Sequence, residues 1–231
     1  MPFYYYFDPT MLIVLPALLL ALWAQINVST TYSKYNKLKT SGGVTGFEAA
    51  RRILDANGLY NVGIERIRGE LTDHYDPRAN VIRLSEAVYS STSAAAVGVA
   101  SHEAGHAVQH AVGYAPIKLR TSIIRVTNFG SMMAMPLFLV GLIFTAPALM
   151  YAGIILYSLV AVFQLVTLPV EFNASSRAMA ALSASGRFSG EELRGARKVL
   201  NAAALTYVAA LASSLLSLLR LLIIANGRSR R

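Results

Sequence analysis

Residues 126–170, VTNFGSMMAMPLFLVGLIFTAPALMYAGIILYSLVAVFQLVTLPV, run for 45 positions without an Asp, Glu, Lys or Arg. A helix that crosses a bilayer needs about 20 mostly apolar residues. The stretch is too long for one span and suits two, with Ala146-Pro147 as the turn between them. The spacing predicts spans near 129–144 and 149–167. Two further charge-free runs lie at 9–33 and 199–219, of 25 and 21 residues. They predict a first span over 11–28 and a last over 201–219. Arg220 follows the last span, where its long stem can snorkel to the interface. Before the first span stand Phe3, Tyr4, Tyr5, Tyr6 and Phe7, aromatic residues of the kind that sit at a membrane interface. With no Lys or Arg before it and no small-residue cleavage pattern after it, this segment reads as a retained anchor rather than a signal peptide.

Composition agrees. Of 231 residues, 55% are hydrophobic and 14% charged, against about 25% charged in an average soluble domain. That excludes a wholly soluble globular protein and an intrinsically disordered one. The chain has no cysteine, so disulfide frameworks, zinc ribbons and thiol nucleophiles are excluded too. The net charge of +9 is divided among separate polar segments, with no aromatic-interleaved basic patch, and no nucleic-acid partner is expected. Attraction to lipid headgroups accounts for it more simply. Residues 29–128 carry 12 of the 21 Lys and Arg, and residues 171–198 carry five. By the positive-inside rule both segments face the cytoplasm and the N-terminus faces out. Only the basic tail, Arg228, Arg230 and Arg231, runs against that rule.

The expected organisation is an anchor at 1–28, a cytosolic insert at 29–128 and a transmembrane hairpin at 129–170. A cytosolic helical segment at 171–200 and a last span with its tail at 201–231 complete it. Within the insert, Thr45-Gly46-Phe47-Glu48 forms a capping box for a helix that stops at Asn57-Gly58. Residues 62–67 and 80–84 alternate apolar and polar side chains like strands, with Asp76-Pro77 as the turn between them. Ser91-Thr92-Ser93 then caps a buried helix that ends at Gly113.

That helix carries His102-Glu103-Ala104-Gly105-His106, an H-E-x-x-H motif. Residues four apart share a helix face, so both imidazoles can reach one tetrahedral ion, Zn2+ above all. Glu103 is turned about a hundred degrees away and can take a proton from water instead of binding the metal. A catalytic zinc site needs a third protein ligand. Among the candidates, His110 continues up the same helix and His74 precedes the second strand. Glu171 is the strongest: it follows the third span directly, where a carboxylate is costly unless paired or metal-bound. Ser175 shares its helix face and can support a ligand, and Asn173 and Arg177 form a second such pair.

The stretches 72–78 (TDHYDPR), 96–106 (AVGVASHEAGH) and 164–177 (QLVTLPVEFNASSR) resemble the YugP-like membrane zinc peptidases of bacteria, as does 198–210 (KVLNAAALTYVAA). The resemblance implies a mainly α membrane protein with a cytosolic α+β zincin-like metallopeptidase domain, distantly similar to HtpX-type gluzincin proteases. It implies a zinc-dependent endopeptidase acting on membrane or membrane-associated proteins. It also supports Glu171 as third ligand, at the head of a Glu-x-x-x-Asp pattern whose last position here is Ser175. Asp73 or Asp76 is expected to supply the missing carboxylate. The second strand, 80–84, is expected to bind substrate as an added strand, and His74, Tyr75 and Arg177 are the candidate oxyanion donors. Peptide substrates and membrane lipid are the expected partners, and the small residues of the last span would also permit a homo-oligomer. The competing expectation is an inactive zinc-binding membrane scaffold.

Overall fold

The computed structural model describes residues 8–69 and 72–229. The aromatic cluster at 3–7 and the tail residues Arg230 and Arg231 lie outside them. Among the described residues, seven helices and three strands follow in order. They are α1 (Met11–Asn36), α2 (Gly46–Ala56), β1 (Gly63–Ile67), β2 (His74–Asp76), β3 (Val81–Ser85) and α3 (Glu86–Tyr89). Then come α4 (Ala94–Ala111), α5 (Ala115–Ile143), α6 (Pro147–Ala184) and α7 (Gly190–Ser229).

Contacts divide the chain into two units. One takes the chain through Ala24, Leu119–Leu168, and everything from Thr206. It holds most of the apolar length of α1, α5, α6 and α7, which among the described residues are the four helices long and apolar enough to cross a membrane. Only 11% to 28% of their most apolar windows is buried. Exposed Leu18, Leu22, Met132, Ile143, Ile155, Leu165 and Leu215 therefore require an apolar surrounding. Pro147 sits at the first position of α6, where its missing N–H has no partner to lose. A small core of Phe138, Met150, Ile154, Leu221 and Ala225 joins α5, α6 and α7. Arg220 does not reach outward alone. Its guanidinium lies 2.8 Å from Asp8 Oδ2 and donates to Thr10 Oγ1 at 3.0 Å, so its charge is paired at the start of α1.

The other unit, Gln25–Lys118 and Pro169–Leu205, contains the polar insert. The capping box is fully formed, with Thr45 and Glu48 each accepting from the other's backbone N–H. Ser93 Oγ accepts from Ala96 N at 3.1 Å and opens α4, which ends before Gly113 at φ 66°. Helix α4 lies at the centre of this unit. One face packs on Ile53, Leu54, Ile82, Leu84 and Val88, and the other on Ala178, Leu182, Ala196 and Leu200. Its side chains are correspondingly small, and 14 of its 18 residues are buried.

Two expectations change here. The sheet has three strands in the order β1-β3-β2, with β1 parallel to β3 and β2 antiparallel to it. The expected substrate strand, β3, is therefore central, with both edges occupied, and cannot accept another strand. The free edge near the motif belongs to β2, and the Asp76-Pro77 turn joins β2 to β3. The helices also outrun the charge-free spans. Helix α5 starts with Lys118, Arg120 and Arg125 in its opening turns, and α6 continues to Ala184. Loss of apolar character marks where lipid contact would end, not where helical hydrogen bonding does.

Candidate metal centre

Helix α4 presents His102 and His106 one turn apart, their rings edge to face with centroids 4.6 Å apart. Glu171 comes from α6, two residues after Pro169. Its Oε2 lies 3.2 Å from His102 Nε2 and 3.6 Å from His106 Nε2. One ligand atom from each of the three residues falls within 4.8 Å of the others. Close approach of the helices makes this meeting geometrically feasible. A Cβ on Gly105 would stand 2.6 Å from the Ala174 carbonyl oxygen, so only glycine lets α6 come near enough to deliver Glu171.

The donor set fits a metal ion: two imidazoles and a carboxylate suit zinc and leave a coordination position open. Glu171 is only 2% exposed, and a carboxylate so deeply buried is costly without a cation or strong hydrogen-bond donors. The potential points the same way. Burial pushes His106 down, but the adjoining Glu171 and Glu103 carboxylates outweigh it and hold the imidazole above its usual pKa. The pocket thus attracts positive charge.

Glu103 stands outside this triad. Its Oε2 accepts the Tyr75 main-chain N–H at 3.0 Å, from the free edge of β2. Two aspartates brace that strand. Asp73 accepts from Ser85 N at 2.7 Å and from the Ser85 hydroxyl. Burial nevertheless pushes its carboxyl up, against those bonds and with a contribution from Glu103. Asp76 accepts from Arg78 N and Ala79 N and pairs with Arg83 at 2.7 Å, which holds its carboxyl down at about 2. Neither aspartate touches His102 or His106, contrary to the expectation for that role. They shape the wall beside the site.

The histidine supports are neutral. His102 Nδ1 meets Ser175 Oγ at 3.1 Å, as the helical spacing from Glu171 predicts. His106 Nδ1 meets Gln109 Oε1 at 3.0 Å. Sequence reasoning missed Gln109; its signal is a polar residue three positions beyond His106 on a helix of small apolar side chains. His110 packs against the Tyr75 ring at 5.5 Å and lies outside the triad. His74 is exposed, with Nδ1 2.8 Å from the Thr72 carbonyl oxygen. The Tyr75 hydroxyl donates to Asn80 Oδ1, and Arg177 Nε donates to Asn173 Oδ1 at 2.7 Å.

Residues 10–226 match the family model described as "Putative neutral zinc metallopeptidase". The chain belongs to this family. A relative, the "Putative membrane protease YugP" of Bacillus subtilis (strain 168), is 52% identical over 217 residues, covering 94% of this chain and 96% of that protein. No solved structure matches the chain. Membership agrees with the metal-capable triad and the four apolar helices, features found independently in the structure.

Proposed function

We propose that this chain is a membrane-embedded zinc endopeptidase of the gluzincin type. His102, His106 and Glu171 are its metal ligands and Glu103 its catalytic base. The observation that carries the reading is the convergence of those three donors on one point, with a second carboxylate, Glu103, outside the triad and one helical position from His102. Three donors suit a catalytic site with an open position, whereas a closed structural site needs four. This favours the enzyme over an inactive scaffold.

When bound, zinc supplies Lewis acidity: it polarises a carbonyl oxygen and lets water react near neutral pH. The chain's own residues do the rest. Glu103 takes the proton of the attacking water and returns it to the leaving amine. Its hydrogen bond from Tyr75 N–H keeps the carboxylate beside the free edge of β2. A substrate backbone laid along that edge brings a peptide bond next to Glu103. His74 lies on the same short strand, exposed and close enough in sequence to meet a bound chain.

The distribution of Lys and Arg supports a cytosolic site at the inner membrane of a bacterium, with membrane or membrane-associated proteins as substrates and quality control as a fitting role. Comparative proteomics of membrane fractions with wild-type and Glu103→Gln protein tests the reading. The variant should keep its zinc, lose cleavage by about 10²-fold or more, and accumulate uncut substrates. Undiminished cleavage by the variant would overturn the proposal.

A further inference from the structure

We infer that Gln109 is a positioning residue that makes His106 a ligand through Nε2 and ties the Glu171 segment to α4; this rests on the zinc-site reading above. Gln109 is wholly buried, and a buried side-chain amide must place its donors and its acceptor correctly. Its Nε2 lies 2.8 Å from the Val170 carbonyl oxygen and 3.0 Å from Asn173 Oδ1. A main-chain carbonyl can only accept. The amide nitrogen must therefore face Val170, and Oε1 must face His106 Nδ1, 3.0 Å away. The far end agrees, because Arg177 can only donate and its Nε holds Asn173 Oδ1 at 2.7 Å.

Donors and acceptors along Arg177, Asn173, Gln109 and His106 thus have one consistent order. Arg177 and Gln109 both donate to Asn173, and His106 donates to Gln109. In the neutral form that can bind a metal, His106 must carry its proton on Nδ1, which leaves the Nε2 lone pair on the side of Glu171 Oε2. His102 has no such constraint: the Ser175 hydroxyl both donates and accepts, and its 3.1 Å contact fits either tautomer. Gln109 acts a second time through Val170, the residue directly before Glu171. One buried amide orients one ligand and anchors the backbone of another.

The test compares wild-type full-length protein in detergent with Gln109→Met and Gln109→Glu. It measures zinc affinity by chelator competition and the visible spectrum of the cobalt-substituted protein. Methionine fills the space without an acceptor, and affinity should fall about 10- to 100-fold, with a changed cobalt spectrum. Glutamate offers an acceptor oxygen to Nδ1 in either protonation state and should return affinity to within about tenfold of wild type. Wild-type affinity and spectrum in the Met variant overturn the inference, and so does an equal loss in both variants, since that is what packing alone predicts. A wild-type protein that binds no zinc refutes the metal-site reading instead. Should the Met variant not fold, the 15N shifts of the His106 ring in the zinc-loaded wild-type protein decide: a protonated Nδ1 supports the role, and a protonated Nε2 overturns it.

Discussion

Helices α4 and α6 meet at the candidate metal centre but are built on opposite plans. Helix α4 has 18 residues, is buried nearly all round, and carries two proposed ligands and the proposed base within five consecutive positions. Helix α6 has 38 residues, is apolar for most of its length, and supplies one proposed ligand just beyond its predicted span. The first announces its chemistry locally, because helical periodicity alone puts His102 and His106 on one face. The second acquires chemistry only by being brought to the first. Glu171 is one acid among several until Gly105 lets the Ala174 backbone approach. A motif can fix two ligands and a base, but a third ligand is a property of packing.

The sharpest way to break this comparison is to remove what α6 contributes. Glu171→Ala should cost more zinc affinity than the ~10–100-fold typical of losing a supporting contact, measured by metal content after dialysis against a chelator. Wild-type zinc content would mean that α4 suffices. Separating the helices should do almost as much. Valine at Gly105 must displace the Ala174 carbonyl, destabilising the protein by about 1–3 kcal/mol and lowering cleavage about 10²-fold. Denaturant melts and peptide assays on Gly105→Val check both. Even Gly105→Ala should destabilise, although alanine stabilises an ordinary helix interior by about 1 kcal/mol over glycine. That sign reversal distinguishes close approach from helix propensity.

Smaller effects sharpen the comparison. Ser175→Ala removes the α6 support of His102 and should lower zinc affinity by about tenfold or less. That is less than Gln109→Met, because a hydroxyl constrains its imidazole less than a wholly bonded amide. The wall beside α4 gives the smallest effect and depends on pH. Asp76 is held at about 2, below its ordinary 3.8, by Arg83 and two backbone N–H groups. A carboxyl lowered on folding contributes stability that is complete above 3.8 and is lost as pH falls toward 2. Melts of metal-free wild-type and Asp76→Asn protein should differ at pH 5 and converge near pH 2, whereas a constant gap would contradict the assignment.

What could be read in advance divides along physical lines. Local signals survived: the Thr45–Glu48 capping box, the Ser93 cap, the Gly113 stop, the four apolar spans and the Ser175 spacing. Long-range pairing did not. Strand β2 has three residues, too few to show alternation, and the central place of β3 depends on a parallel partner that no turn residue signals. The aspartates of 72–78 are acids near a metal motif in the sequence; in the structure they brace a strand. Gln109 was missed for a related reason. Its place on a buried helix of small side chains marks it as unusual, but its partners Val170 and Asn173 come from α6.

X-ray absorption of zinc in the purified protein tests the central claim most directly. The proposed ligands predict a first shell of two imidazole nitrogens at about 2.0–2.1 Å with only oxygen neighbours beside them, from one carboxylate and the open position, and this shell should be unchanged in Glu103→Gln. A third imidazole in the shell, from His74 or His110, or a shell altered by Glu103→Gln, would contradict the assignment of His102, His106 and Glu171 as ligands with Glu103 as the base.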